Sequence, residues 1–263
     1  MTSFKIPIRQ NQKLKKIVEL VEKDVELQTY WKCSNIVAID RLGFSDHGPT
    51  HVKIVANIGL KLLRMLVESG VKPSIARDYE NMNNDDAEVV VFMASILHDV
   101  GHAIHRENHE NYSIPLSIPI IERTLKSIYP VEARTILKSE ILHAMISHQR
   151  DILPLTLEAG IIRVADALDM QEGRARIPFQ AGEINIYSVS ALAVENVQIR
   201  KGSEENNEKV IVVEISLTNS SGIFQIDEML KKKMKNTGLE KYLQIKVNIS
   251  GKSEKRIIDE FEI

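Results

Sequence analysis

Residues 87–102 read AEVVVFMASILHDVGH, and the fold turns on how 87–97 is taken. This run is apolar almost all round. As a helix it belongs in the middle of a domain, with neighbours on every side. The Val run admits a strand, but the long polar stretch before it and the Ala and Met within it favour a helix. That helix ends at His98-Asp99, two polar groups delivered to the mouth of a buried element. An unpaired carboxylate there is costly, so the pair needs partners.

Working outward, Leu14, Ile17, Val18, Val21 and Val25 predict a helix over 11–32. Asp40 to Pro49 is rich in turn residues, and Pro49 sits where helices start. From it an apolar stripe, Ile54 to Leu66, runs to Gly70. Residues 71–84 read as an exposed connection. Further helices are expected at about 117–129, 131–149 and 156–170. The character changes after the turn-like segment Gly173–Gly182. Val213, Ile215 and Leu217, then Leu243, Ile245, Val247 and Ile249, alternate with period two, which means strands. IDEMLKKKMKNTG between them reads as an amphipathic helix ending near Gly238, and 202–209 as a polar hairpin-like loop. The expected architecture is mainly α: an all-helical domain over 1–177 and a small α+β domain over 178–263.

The 263 residues carry a net charge of −2 with no long run of one sign, which argues against a dedicated nucleic-acid binder. A single cysteine, Cys33, permits no internal disulfide and suits a reducing compartment as a packed thiol. No segment has signal-peptide character or the length needed to span a bilayer, so a cytoplasmic protein is expected.

All eight histidines, at 47, 51, 98, 102, 105, 109, 143 and 148, lie in the helical part. His51 continues the apolar stripe of its helix onto the core side, one turn before Val55. Asp166 lies in IIRVADALDM, another strongly apolar helix. A lone core histidine is ordinarily a satisfied structural group, but two such histidines with two core aspartates suggest a cation. Nitrogen and oxygen donors together suit Mn, Fe, Zn, Ni, Co or Mg. The spacing 98, 102, 105, 109 stacks four histidines on one face if the helix continues, although Gly101 argues for a break.

The order His51, His98-Asp99, Asp166 resembles the H…HD…D pattern of the HD-domain superfamily. The strings HVKIVA, LHDVGH and VADALD match locally, over roughly residues 45–172. The resemblance implies a helical fold that hydrolyses phosphate esters or anhydrides, commonly of nucleotides. By it, His51, His98, Asp99 and Asp166 are the ligands of a divalent metal, one or two per chain. LHDVGH followed by HENYS, and ISHQRD followed by DALD, are similar to the deoxynucleotide triphosphohydrolase branch. There a histidine beyond the doublet acts as acid or base, which singles out His109 and His102 as catalytic beside Asp99. Gly48 stands where that branch has an arginine. The two-metal cyclic-dinucleotide branch places further histidines late in the chain, a role open to His143 and His148, but its GYP signature is absent.

In this reading Asp99 orients or deprotonates the attacking water, and His109 or His102 protonates the leaving oxygen. His47 lines the entrance. Lys53, Arg150, Arg163 and Arg174 are the nearest cations for phosphate. HENYS is not a zinc-protease motif, because position 113 is Ser. No GxxxxGK[ST] loop or GxSxG elbow appears. Two other classes fit the scaffold: a di-iron centre doing oxygen chemistry, and a regulatory module that senses a nucleotide without turnover. The expected partner is a small phosphorylated substrate, and the second domain suits dimerisation or regulation.

Overall fold

The computed structural model describes residues 5–170 and 186–250, with the backbone of Glu260–Glu262. The expected turn at 173–182, the domain boundary near 178, and Arg174 lie outside the described residues. No described helix is long and apolar enough to cross a membrane.

The run 84–97 is the helix α5, Asn84–Leu97, opened by a capping box between Asn83 and Asp86. Every residue from Val89 to Leu97 is buried. Each large apolar side chain so buried contributes ~1.5–3 kcal/mol. Around it pack α1 (Gln12–Lys23), α3 (Pro49–Glu68), α7 (Val131–Ile146) and α8 (Leu157–Leu168). Asn11 caps α1 by accepting from the Leu14 N–H. Pro49 occupies the first turn of α3.

Three helical expectations need correction. The helix over 11–32 is two, because Asp24 adopts extended backbone and accepts from the Leu27 N–H, starting α2 (Val25–Asn35). A π-helical turn, Ile36–Arg41, then continues it. The connection 71–84 holds a short helix, α4 (Ser74–Asp78), with Ser74, Ile75 and Ala76 buried. The buried carboxylate of Glu158 accepts from the Ser74 and Ile75 N–H groups at 3.2 and 3.0 Å, so α4 is capped from another helix. The helix expected from 117 begins eight residues earlier, as α6 (His109–Leu125), with Pro115 and Pro119 inside it. These prolines mask its first turns in the sequence.

After α9 (Ile186–Leu192) the chain forms β1 (Val194–Lys201), β2 (Ile211–Leu217), β3 (Leu243–Ile249) and β4 (Glu260–Glu262). They make one sheet in the order β1-β2-β3-β4. β1 and β2 form an antiparallel hairpin across the 202–209 loop, while β2 and β3 are parallel, with Val213 opposite Ile245. A parallel pair needs a crossover. It is supplied by the π-helical Gln225–Leu230 and α10 (Lys231–Met234), after which Asn236 and Gly238 turn the chain at positive φ. The mainly helical architecture with a small α+β unit is thus observed, although β1 and β4 carry no clear alternation in sequence. One connected apolar core runs from Leu14 in α1 to Ile249 in β3.

Candidate metal centre

α5 ends at Leu97 and His98 is its C-cap, so the four-histidine face does not form. A 3-10 turn, Val100–Ala103, replaces it. Gly101 is required there: a Cβ would fall 2.0 Å from the His109 carbonyl oxygen and 2.6 Å from Ser113 N. Ser113 fastens the turn, donating to the His98 carbonyl at 2.6 Å and accepting from Gly101 N–H at 2.9 Å. The doublet and the start of α6 are thereby one packed piece. On the other side Asp46 accepts from Gly48 N–H and His51 N–H at 3.0 and 3.1 Å, fixing the first turn of α3.

The Asp99 carboxylate is the hub. Its Oδ2 lies 3.2 Å from His51 Nε2 and 3.3 Å from His98 Nε2. Asp166 Oδ1 closes this side, 3.4 Å from His51 Nε2 and 3.9 Å from His98 Nε2. Asp99 Oδ1 faces the opposite way, 3.2, 3.6 and 3.8 Å from Nε2 of His109, His148 and His102. The donor atoms of His51, His98 and Asp99 lie within 4.8 Å of one another, as do those of Asp99, His109 and His148, and those of His47, Asp99 and His102.

The opposite ring nitrogens show what the Nε2 atoms are for. Nδ1 of His51 bonds Asp169 Oδ2 at 2.6 Å. Nδ1 of His98, His109, His148 and His47 bonds the carbonyls of Ser95, Arg106, Met145 and Ser45 at 2.5–2.8 Å. A carbonyl only accepts, so each of those four Nδ1 atoms carries the hydrogen, and a neutral ring then has its lone pair on Nε2. His51 and His98 place their Nε2 atoms 3.3 Å apart, and His109 and His148 theirs 3.4 Å apart. Two lone pairs at that range repel unless a proton or a cation lies between them. His102 is buried, with neither ring nitrogen hydrogen-bonded, and stacks on His109 with ring centroids 4.0 Å apart. The residues fit a divalent cation.

The electrostatics follow from this packing. Burial pushes the Asp99 carboxyl up, but the His98 ring beside it, and then His109 and His51, hold it well below the usual range. Asp166 is likewise held low against its burial, chiefly by Lys233 and then His51 and His98. Burial drives His102 down to about 3 and His148 well below its ordinary value. For His109 burial opposes the charged ring, yet the hydrogen bond and charge of Asp99 raise it.

Other sequence candidates are placed differently. His143 is half-buried on α7 and accepts the Leu155 N–H at 3.0 Å, outside the cluster. Lys53 is half-buried two residues past His51, and Arg150 is exposed. Arg163 is buried, donating to the carbonyls of Ser147 and Gln149 at 2.7 Å and of Ile152. It therefore holds the loop that carries His148, not phosphate. Two residues at the site carried no expectation. Asp169 orients His51, and its signal was available, since histidine ligands recruit a carboxylate and DALD offers one. Lys233 pairs with Asp166 from the C-terminal unit, and nothing in KKKMK distinguishes it from a solvated basic run.

The HD domain family matches residues 49–171, which contain every residue around Asp99 except His47 and Lys233. The chain is 40% identical over 249 residues to the uncharacterized protein MJ1020 of Methanocaldococcus jannaschii, covering 95% of this chain and 93% of that one. No solved structure matches it. With the H…HD…D residues on α3, the end of α5 and α8 meeting at one carboxylate, the chain belongs to the HD-domain superfamily.

Proposed function

We propose that this protein is a metal-dependent phosphohydrolase acting on a phosphate ester or anhydride, with a nucleotide as substrate. The observation that carries the proposal is the set of histidines with Nδ1 tied back and Nε2 turned inward on Asp99. His51, His98, Asp99 and Asp166 would hold the cation. When bound, it supplies Lewis acidity, lowering the pKa of a water and neutralising phosphoryl charge. Asp99 orients the water through the oxygen facing His109. His109 keeps a proton more readily than a free imidazole, because Asp99 faces its Nε2, and it donates that proton to the leaving oxygen. His102, driven neutral by burial, would accept a hydrogen bond from the substrate. Burial of the cluster excludes bulk water.

The 3.4 Å approach of His109 Nε2 to His148 Nε2 favours a second reading, in which Asp99, His109 and His148 would hold a further cation and His109 would be a ligand. Metal analysis separates the two by stoichiometry. Two irons per chain with oxygen consumption point to oxygen chemistry instead. The central experiment assays nucleotides and phosphate esters with Mn, Mg, Ni and Co beside a His98→Ala/Asp99→Ala variant. Turnover lost in the variant is the expected result. Turnover that survives it removes the site, and no turnover by metal-loaded protein leaves a sensing module.

A further inference from the structure

Lys233 comes from the crossover of the sheet, 67 positions along the chain from the carboxylate it meets. Its neighbours behave differently. Lys231 pairs with Asp227 and Lys232 with Glu228, each four residues back along the same helical stretch. The residue four before Lys233 is Met229, so its own helix offers no such partner. Lys233 instead reaches across to Asp166 Oδ2, the oxygen opposite the one that faces His51 and His98.

The approach is built into both partners. Leu230 and Met234 flank Lys233 and are buried. Thr237 closes the turn by donating to the Met234 carbonyl at 2.7 Å. On α8, Gly160 admits this turn: a Cβ there would stand 2.5 Å from the Thr237 carbonyl oxygen. The Lys233 side chain is 22% exposed, against 10% for Asp166 and 4% for Asp99, so it reaches the site from its more exposed side. Arg163 is committed to carbonyls, and Arg150 points to solvent.

We infer that Lys233 is a substrate-binding residue: its ammonium receives a phosphoryl oxygen at the metal centre, so the C-terminal unit completes the active site of the helical domain. This rests on the phosphohydrolase reading above. An ammonium has three donors, and Asp166 uses one. Asp166 would be among the residues that hold the cation, and a cation there would offset the carboxylate charge that Lys233 now pairs with, leaving the remaining ammonium donors for an incoming dianion. Lysine acts on phosphate as a point charge and needs no bidentate geometry.

The test uses the full chain loaded with Mn2+ and inorganic phosphate as the probe, with titration calorimetry for phosphate and metal analysis for occupancy. Lys233→Met is expected to weaken phosphate binding at least tenfold with metal occupancy unchanged. Lys233→Arg, which keeps the charge, is expected to stay within about threefold, and Lys232→Met to match the wild type. Phosphate affinity within twofold of wild type in Lys233→Met overturns the inference. So does metal loss in that variant which accounts for the weaker binding, since Lys233 would then act only through Asp166. Melting temperatures of the Met and Arg variants separate misfolding from lost contact. A wild-type chain that takes up no metal is a different failure: it sinks the phosphohydrolase reading itself.

Discussion

The two oxygens of Asp99 face two differently built half-sites. On the Oδ2 side, His51, His98 and Asp166 project from α3, the end of α5 and α8, and their backbones are held by the packing of the central helix. On the Oδ1 side, His102, His109 and His148 come from a 3-10 turn, a helix start and the loop after α7, held by side-chain tethers, Ser113 through two hydrogen bonds and Arg163 through three. His109 is 16% exposed, whereas His51 and His98 are fully buried. The difference teaches that one half is as stable as the core, while the other is as stable as its tethers. In the proposed reading the deep half would hold the cation, and the outer half would transfer a proton or hold a second ion.

The comparison can be broken at its hub. Asp99→Ala removes the shared group, and turnover is expected to fall by at least about 10³-fold with loss of bound metal. Retained metal would mean that the halves do not share it. A change confined to the deep half is Asp169→Asn, which loosens His51; metal affinity should drop ~10–100-fold by titration with Mn2+. Arg163→Met addresses the outer half alone. Three carbonyls lose a charged donor, so a cost of ~2–4 kcal/mol is expected in denaturant unfolding. Any second metal should be lost before the first. Loss of both together would show that the halves are one cooperative unit.

The smallest effect lies away from both halves. Asp24→Ala removes a helix cap and is expected to cost ~1 kcal/mol. Burial works against the Asp24 carboxylate, but Arg123 and the Leu27 N–H hold its pKa below the ordinary 3.8. A depressed folded value stabilises above the unfolded one, so the wild-type advantage should be complete above about pH 5 and fade as pH falls through the folded value. Unfolding curves at pH 7 and pH 3 check this, and equal differences at both would refute the carboxylate's part.

Legibility divides along the same line. His51, His98, Asp99 and Asp166 interrupt apolar periods, and a polar residue in an apolar period is a local signal. The run 87–97 is readable as a buried helix because it is apolar almost all round and carries Ala and Met. What depended on distant contacts was not readable. The cap that makes α4 a helix is Glu158, more than eighty residues away. The break at Asp24 hides inside an unbroken apolar stripe, because caps and helix interiors differ there by one side-chain bond. VENVQIRK in β1 gains its strand character from pairing with β2, since its own side chains are mostly polar. Lys233 is one of five cationic residues between 231 and 241, and only the folded chain distinguishes it.

The single tryptophan of the chain, Trp31, is buried and donates its indole N–H to the Ile96 carbonyl at 2.9 Å, two residues before His98. That bond makes the ring a built-in optical probe. Its emission depends on the polarity and hydrogen bonding at the last turn of α5, so a shift there on adding a divalent ion would record loading of the doublet without any label or substrate.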